Sequence, residues 1–197
     1  MRKVKTEKRF AKILEAADKR QPSLHVVIEN IHDKHNVSAI FRSCDAVGVP
    51  KISLLYTKEK YPKRISKWSS ASASKWVEKQ SYNEAESCIN ELKEQGFTVY
   101  AGSLSEESVN VFDLDFTGKT ALVFGNEHRG ISEEIAALAD KTFYIPMMGM
   151  VQSLNVAVAA AVTLYEAQRQ RIKKGMYEKS EYTEEEKNLL IDKWCNK

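Results

Sequence analysis

The chain reads as an α/β domain, a mostly parallel sheet flanked by helices, with a helical extension at each end. Three observations carry that reading. Short β-branched runs alternate with stretches of helical period, the pattern of βαβ units. With 197 residues, 43% of them hydrophobic, the chain can bury one full core but not two comfortable ones. No internal repeat or low-complexity tract interrupts the alternation.

Taken in order, residues 10–19 place Phe10, Ile13, Leu14 and Ala17 on one helical stripe. That stripe closes at RQPSL, where proline discourages continuation. LHVVIE (24–29) is short and β-branched, and KISLLY (51–56), FTVYAG (97–102), TALVFG (120–125) and TFYIP (142–146) read as strands in the same way. Helical patterns lie between them at 37–47, 83–95 and 132–139, a long one starts at Ser153, and residues 183–194 form a terminal helix behind a polar link.

Several classes are excluded at this level. The longest apolar stretch, 145–165, is broken by Pro146, Gln152, Ser153 and Asn155, so it fails the requirement of about 20 apolar residues for a membrane span. The opening MRKVKTEKRF has neither an apolar segment nor a small-residue cleavage site, which predicts a cytoplasmic protein with no membrane partner. Cys44, Cys88 and Cys195 are widely spaced and form no CxxC pair, so neither a disulfide framework nor a zinc knuckle is expected. His32 and His35 lack a third ligand, and no metal is expected.

The net charge of +3 conceals a segregation. Residues 1–20 hold eight Lys or Arg against three acids, residues 51–67 hold six against Glu59, and RQRIKK (169–174) adds four more. Such clusters present basic faces to a polyanion, or are solvated helix faces.

In open parallel sheets ligands bind beyond the C-terminal strand ends, and three loops stand there. In NIHDKHNVSAIFRSCDAVGV (30–49), Val37, Ile40, Phe41, Cys44 and Val47 make the core stripe of a helix, with Ser38, Arg42 and Asp45 opposite it. Asn36 precedes that stripe, and its local role is an N-cap. LVFGNEHRGIS (122–132) runs from a strand through a glycine-bounded loop to Ser132, a natural N-cap. Gly125 and Gly130 have P-loop spacing, but Ile131 and Ser132 stand where Lys and Ser/Thr are needed, which excludes nucleotide hydrolysis. Glu127 in this loop is either a helix-end carboxylate or a site residue. IPMMGMVQSLNVAVAAAVTLYEAQRQR (145–171) passes through Pro146 and Gly149 to Ser153, again placed as an N-cap, and its alanines allow another backbone to approach closely.

N-x5-R in the first of these loops, FGNExxGIS in the second and IPMxGxVxSLNVxxAxxxxxYE in the third together resemble the three motifs of the SPOUT-class RNA ribose 2′-O-methyltransferases, the SpoU/TrmH superfamily. FAKILEAADKRQPSL before the first strand, SSASASKWVE in the middle and YEAQRQRIKKGMYE near the end resemble the branch that methylates guanosine 18 in the tRNA D-loop. Members acting on ribosomal RNA carry a separate RNA-binding domain before the first motif, and 23 residues precede the first strand here; the expectation is tRNA.

The resemblance implies a SPOUT-type sheet over residues 23–172 with a deep C-terminal trefoil knot, flanked by a basic extension at 1–22 and a second at 173–197. It implies S-adenosyl-L-methionine as cofactor, bound through Gly102, Ser103, Leu104, Gly125, Ile145, Met150 and Leu154. It implies a homodimer in which the alanine face of the last long helix meets the partner. Arg42 would be the catalytic arginine, with Asn36, Glu127, Ser153 and Asn155 completing the constellation. An arginine is a poor base, so stabilisation of charge on the 2′-oxygen and of the neighbouring phosphate is the preferred role. Arg9, Lys12, His35, Arg169 and Arg171 would contact RNA, with Lys173, Lys174, Lys63, Arg64 and Lys67 adding to them. Methylation of a ribosomal-RNA or anticodon ribose, or RNA binding without catalysis, are the alternative functions.

Overall fold

The computed structural model of the chain describes residues 6–58 and 73–197; Lys63, Arg64 and Lys67 lie outside the described residues. Seven strands form one sheet: β1 Leu24–Glu29, β2 Lys51–Leu55, β3 Glu78–Tyr82, β4 Thr98–Gly102, β5 Val109–Asn110, β6 Thr120–Phe124 and β7 Lys141–Tyr144. Their order is β3-β2-β1-β6-β4-β7-β5, and every ladder between them is parallel. The α/β expectation holds. β1 and β6 are adjacent at the centre and buried along their whole length, which is why both read as continuous apolar runs.

The described residues form six α-helices, α1 Glu7–Asp18, α2 Lys34–Val47, α3 Ala85–Glu94, α4 Glu133–Leu138, α5 Val156–Lys173 and α6 Glu184–Cys195. The two-residue period of the strands divides the core. Val26, Ile28, Leu122 and Phe124 pack with Val37, Ile40, Phe41 and Cys44 of α2 and with Ala157, Ala160, Leu164 and Ala167 of α5. Val27, Ala121, Val123 and Val99 point the other way, into Cys88, Ile89 and Leu92 of α3 and Ile135 of α4. Ala157, Ala160 and Ala167 of α5 pack within the core, where their small size lets α5 settle closely against α2. No helix among the described residues is long and apolar enough to cross a membrane.

Arg171, expected to contact RNA, is fully buried. Its Nε donates to the Phe116 carbonyl at 2.9 Å, Nη1 to Gln21 Oε1 at 3.1 Å and Ser23 Oγ at 2.8 Å, and Nη2 to the carbonyls of Ser23 at 3.1 Å and Gly118 at 2.8 Å. Glu181 lies 3.5 Å away and balances the charge. The guanidinium has the planar fork needed to satisfy so many acceptors at once, and it ties the end of α5 to the entries of β1 and β6.

The two terminal extensions meet. Ile13 and Ala17 of α1 pack with Ile191, Trp194 and Cys195 of α6, against which Trp76 also rests. Arg20 lies over the Trp194 ring at 4.8 Å while donating to the Val49 carbonyl and pairing with Asp45. The helices are capped as their sequences allow, α6 by a full capping box of Thr183 and Glu186.

His25 on β1 is buried, with Nε2 2.8 Å from Ser53 Oγ and the ring edge-on to Phe97. Burial, helped by the Lys51 charge, pushes its imidazole down to about 3. The unfolded chain, with an ordinary value near ~6.5, then takes up a proton that the fold refuses, so stability falls as pH drops below that value, by up to about 1.4 kcal/mol per pH unit. Urea unfolding between about pH 7.5 and about pH 5 should show this slope, and His25→Gln should flatten it. Arg171→Met, which strands Glu181 and five other acceptors, is expected to cost about 3–5 kcal/mol in the same assay.

Candidate functional site

The loops leaving β1, β6 and β7 gather at one edge of the sheet, and asparagines hold them in place. At the end of β1, Asn30 adopts φ 52°, a left-handed conformation that few residues other than glycine and asparagine tolerate. Its Oδ1 accepts from the amides of Thr57 and Lys58, and its carbonyl accepts from Asn126 Nδ2 at 2.7 Å. Asn126 also closes the loop after β6: its backbone exchanges hydrogen bonds of 2.8 and 2.9 Å with Gly130, and its Oδ1 accepts from the amides of His128 and Arg129. The two sides of this loop are so close that a Cβ on Gly125 would fall 2.2 Å from the Gly130 carbonyl. Glycine is required there for approach, not for phosphate binding.

A directional relay joins three of the expected site residues. Asn155 caps α5, its Oδ1 accepting from the amides of Ala157 at 2.9 Å and Val158 at 3.4 Å. With its oxygen so occupied, its Nδ2 donates to Asn36 Oδ1 at 3.0 Å, and Asn36 Nδ2 donates to Glu127 Oε1 at 3.0 Å. Glu127 also accepts from the amides of Asp33 and His32. Partial burial pushes the Glu127 carboxyl up, but the hydrogen bonds from Asn36 and from the amides of Glu127, Asp33 and His32 outweigh it and hold the group below its ordinary value. It is a carboxylate at neutral pH, and its lone pairs are spoken for.

Beside the relay lies a cavity of about 600 Å³. Gly102, Ser103, Leu104, Gly125, Ile145 and Leu154 line it, as expected of a cofactor site, and so do Glu127, Ser153 and Asn155. Met150 does not: it is 99% exposed, and Met147 and Gln152 line the wall instead. Asn126, His128 and Arg129 also line it and escaped sequence reasoning; their signal was the Asx-type spacing around a glycine pair.

Local readings of three polar residues are corrected. Asp33, not Asn36, caps α2 by accepting from the His35 amide at 2.8 Å, which frees Asn36 for the relay. Asn155, not Ser153, caps α5. Ser38 is buried rather than on an outer face, since α5 packs over that side of α2. Arg42 is exposed on α2 and stands outside the cavity lining. Arg9, Lys12 and His35 are exposed, and Arg169 is exposed and clasped by Glu166 through two bonds of 2.8 Å. Cys44, Cys88 and Cys195 are all buried, and burial pushes the Cys88 thiol up to about 12, which leaves it without nucleophilic character.

The model of the SpoU rRNA Methylase family matches residues 23–165, the sheet, the cavity and most of α5. The chain belongs to the SpoU rRNA methylase family. It is 44% identical, over 98% of both chains, to the tRNA (guanosine(18)-2′-O)-methyltransferase of Thermus thermophilus. Among solved structures it resembles the TrmH/SpoU tRNA modifying enzyme of Aquifex aeolicus, with a TM-score of 0.91 and 43% identity over 96% of each chain. It also resembles the SpoU methyltransferase AviRb of Streptomyces viridochromogenes in complex with AdoMet, with a TM-score of 0.69 and 29% identity over 79% of this chain and 59% of that one. The matched segment thus contains Asn36, Glu127 and Asn155 of the relay and the residues that line the cavity.

Glu127→Gln turns one acceptor into a donor facing the His32 or Asp33 amide, and should cost about 1–3 kcal/mol of stability at neutral pH. Because the folded carboxyl lies below its ordinary value, the wild-type advantage is present above the unfolded pKa and disappears as pH falls through the folded one. Denaturation of the two proteins from neutral to acidic pH measures that convergence.

Proposed function

We propose that the chain transfers a methyl group from S-adenosylmethionine to the ribose 2′-hydroxyl of guanosine 18 in tRNA. One observation carries the choice of substrate. The similarity to the guanosine-18 enzyme of Thermus thermophilus runs over 98% of the chain, well past the family segment at 23–165, and so includes the lobe made by α1 and α6. The reading divides the chain into a basic extension at 1–22, a methyltransferase domain at 23–172 and a second extension at 173–197; the packing of α1 on α6 supports treating the two extensions as one lobe of a cytoplasmic enzyme.

The cavity fits the cofactor. Its volume is in the range of about 300–1,000 Å³ typical of small-molecule sites, its apolar residues Leu104, Ile145 and Leu154 suit the faces of a nucleobase, and glycines 102 and 125 expose backbone polar groups beside them. When bound, S-adenosylmethionine supplies an electrophilic methyl on a sulfonium. The protein's own part is positioning. Asn155, Asn36 and Glu127 hold the α5 and α2 ends and the 126–130 loop in one geometry, which fixes the place offered to the ribose. Arg42, exposed on α2 outside the cavity, takes the RNA phosphate and stabilises negative charge on the 2′-oxygen as its proton passes to solvent water, the methyl transfer leaving S-adenosylhomocysteine. Ser153, on the cavity wall, contacts the ribose. Arg9, Lys12, His35 and Arg169 contact the RNA, positioning it without reading its sequence.

The reading includes a C-terminal trefoil knot, supported by β6 lying between β1 and β4 while the chain beyond β7 returns to α2 as α5. It includes a homodimer through the outer face of α5. Val158, Tyr165 and Ile172 recur there at seven-residue spacing and are 47%, 53% and 59% exposed, with Met148, Met150 and Val151 exposed just before them. Such a stripe suits a second helix.

Incubation with labelled S-adenosylmethionine and either unmodified tRNA transcript or unmodified ribosomal RNA, followed by nuclease mapping, should place the label in 2′-O-methylguanosine at position 18 of tRNA. Label in ribosomal RNA alone would overturn the substrate assignment. Arg42→Ala should lower turnover by at least about 10²-fold with cofactor affinity unchanged; an equal fall in both would remove Arg42 from catalysis.

A further inference from the structure

The charged groups that line the cavity fall within one loop, Glu127, His128 and Arg129. Glu127 is already committed, to Asn36 and to backbone amides. The remaining wall is apolar side chain, backbone and neutral polar groups. The amino-acid end of S-adenosylmethionine is a zwitterion, an ammonium beside a carboxylate; the carboxylate loses water when it enters a cleft and needs donors there, which a protein cation supplies best. Arg42 and His35 are absent from the lining, so the basic groups of the site divide into those outside the cavity and those within it.

Resting on the S-adenosylmethionine reading above, we propose that the Arg129 guanidinium binds the carboxylate of the cofactor's methionine moiety. A guanidinium offers a planar pair of N–H groups that matches a carboxylate bidentately, which an imidazole such as that of His128 does not. The loop delivers it on a fixed base. Asn126 and Gly130 close the loop through two backbone hydrogen bonds, Asn126 Oδ1 holds the Arg129 amide at 3.2 Å, and Gly125 approaches Gly130 closely. The loop itself is anchored to the end of β1 through Asn126 Nδ2 and to α2 through Glu127. Asn36 and Glu127 thus serve the relay on one side of the loop, and Arg129 serves the cofactor on the other.

Calorimetric titration of the full chain with two ligands separates the possibilities. S-adenosylhomocysteine retains the amino-acid carboxylate, and 5′-methylthioadenosine lacks it. Arg129→Gln should weaken S-adenosylhomocysteine roughly tenfold or more, as expected for loss of a charge-assisted pair, and leave 5′-methylthioadenosine unchanged. Arg129→Lys should recover part of the loss. Unchanged affinity for both ligands in Arg129→Gln would overturn the proposal. An equal loss for both would also overturn it, by making Arg129 a support of the loop. Failure of the wild-type chain to bind either ligand would overturn the cofactor reading itself, and the proposal with it.

Discussion

The structure depends on the placement of α5, and α5 is fixed by what happens at its two ends. At the far end the Arg171 guanidinium sits wholly out of water, and all of its nitrogens have acceptors. A buried charge is tolerated only when it is paired and hydrogen-bonded, so the side chain admits one arrangement of the Gln21, Ser23, Phe116 and Gly118 segments around it. At the near end Asn155 caps the helix and hands a hydrogen bond to Asn36. Between them lie 18 helical residues, a rod of about 27 Å packed through small side chains onto α2. A helix so held carries position from the base of the sheet to the site.

Counting basic residues in sequence finds clusters but not their employment. Arg20 and Arg171 belong to two of the three basic runs, yet both are buried, one on Trp194 and Asp45, the other among carbonyls. Arg169, two residues away, is exposed and clasped by Glu166. The difference is geometric. Residues 169 and 171 lie about 200° apart around a helix, so one faces solvent when the other faces the core. Among the described residues, the basic side chains left exposed by these two runs are fewer than the sequence suggests.

Elements whose apolar period was strong were legible: LHVVIE, TALVFG and the Val37–Val47 stripe became β1, β6 and the buried side of α2. β3 was not, because EKQSY is an edge strand whose side chains are polar and partly exposed, leaving no hydrophobic alternation to read. The order of the strands was equally silent, since long-range pairing leaves no local trace. For the site, the residue types were readable from motif and their local roles were not. Asn36 and Ser153 both stand where an N-cap is plausible, but Asp33 and Asn155 do the capping. Several cap-forming residues within three positions offer the backbone equivalent partners, and only the approach of α2 to α5 selects among them. Met150 failed for a related reason. A loop shaped by Pro146 and Gly149 has no period, so which methionine turns inward cannot be read from spacing.

The polarity of the relay explains why a carboxylate stands at position 127. The first amides of α5 can only donate, so they take the Asn155 oxygen and leave its nitrogen to point at Asn36. Asn36 must then present oxygen to Asn155 and nitrogen to residue 127, and two further backbone amides of the 30–33 loop converge on the same place. Every group arriving at 127 is a donor. A carboxylate, with acceptors only, satisfies them all, whereas an amide would set one N–H against another. The charge on Glu127 therefore serves geometry: it is the terminus of a chain of donors that begins at a helix end. On the reading proposed above, the cationic roles fall to other residues, Arg42 outside the cavity and Arg129 on its wall.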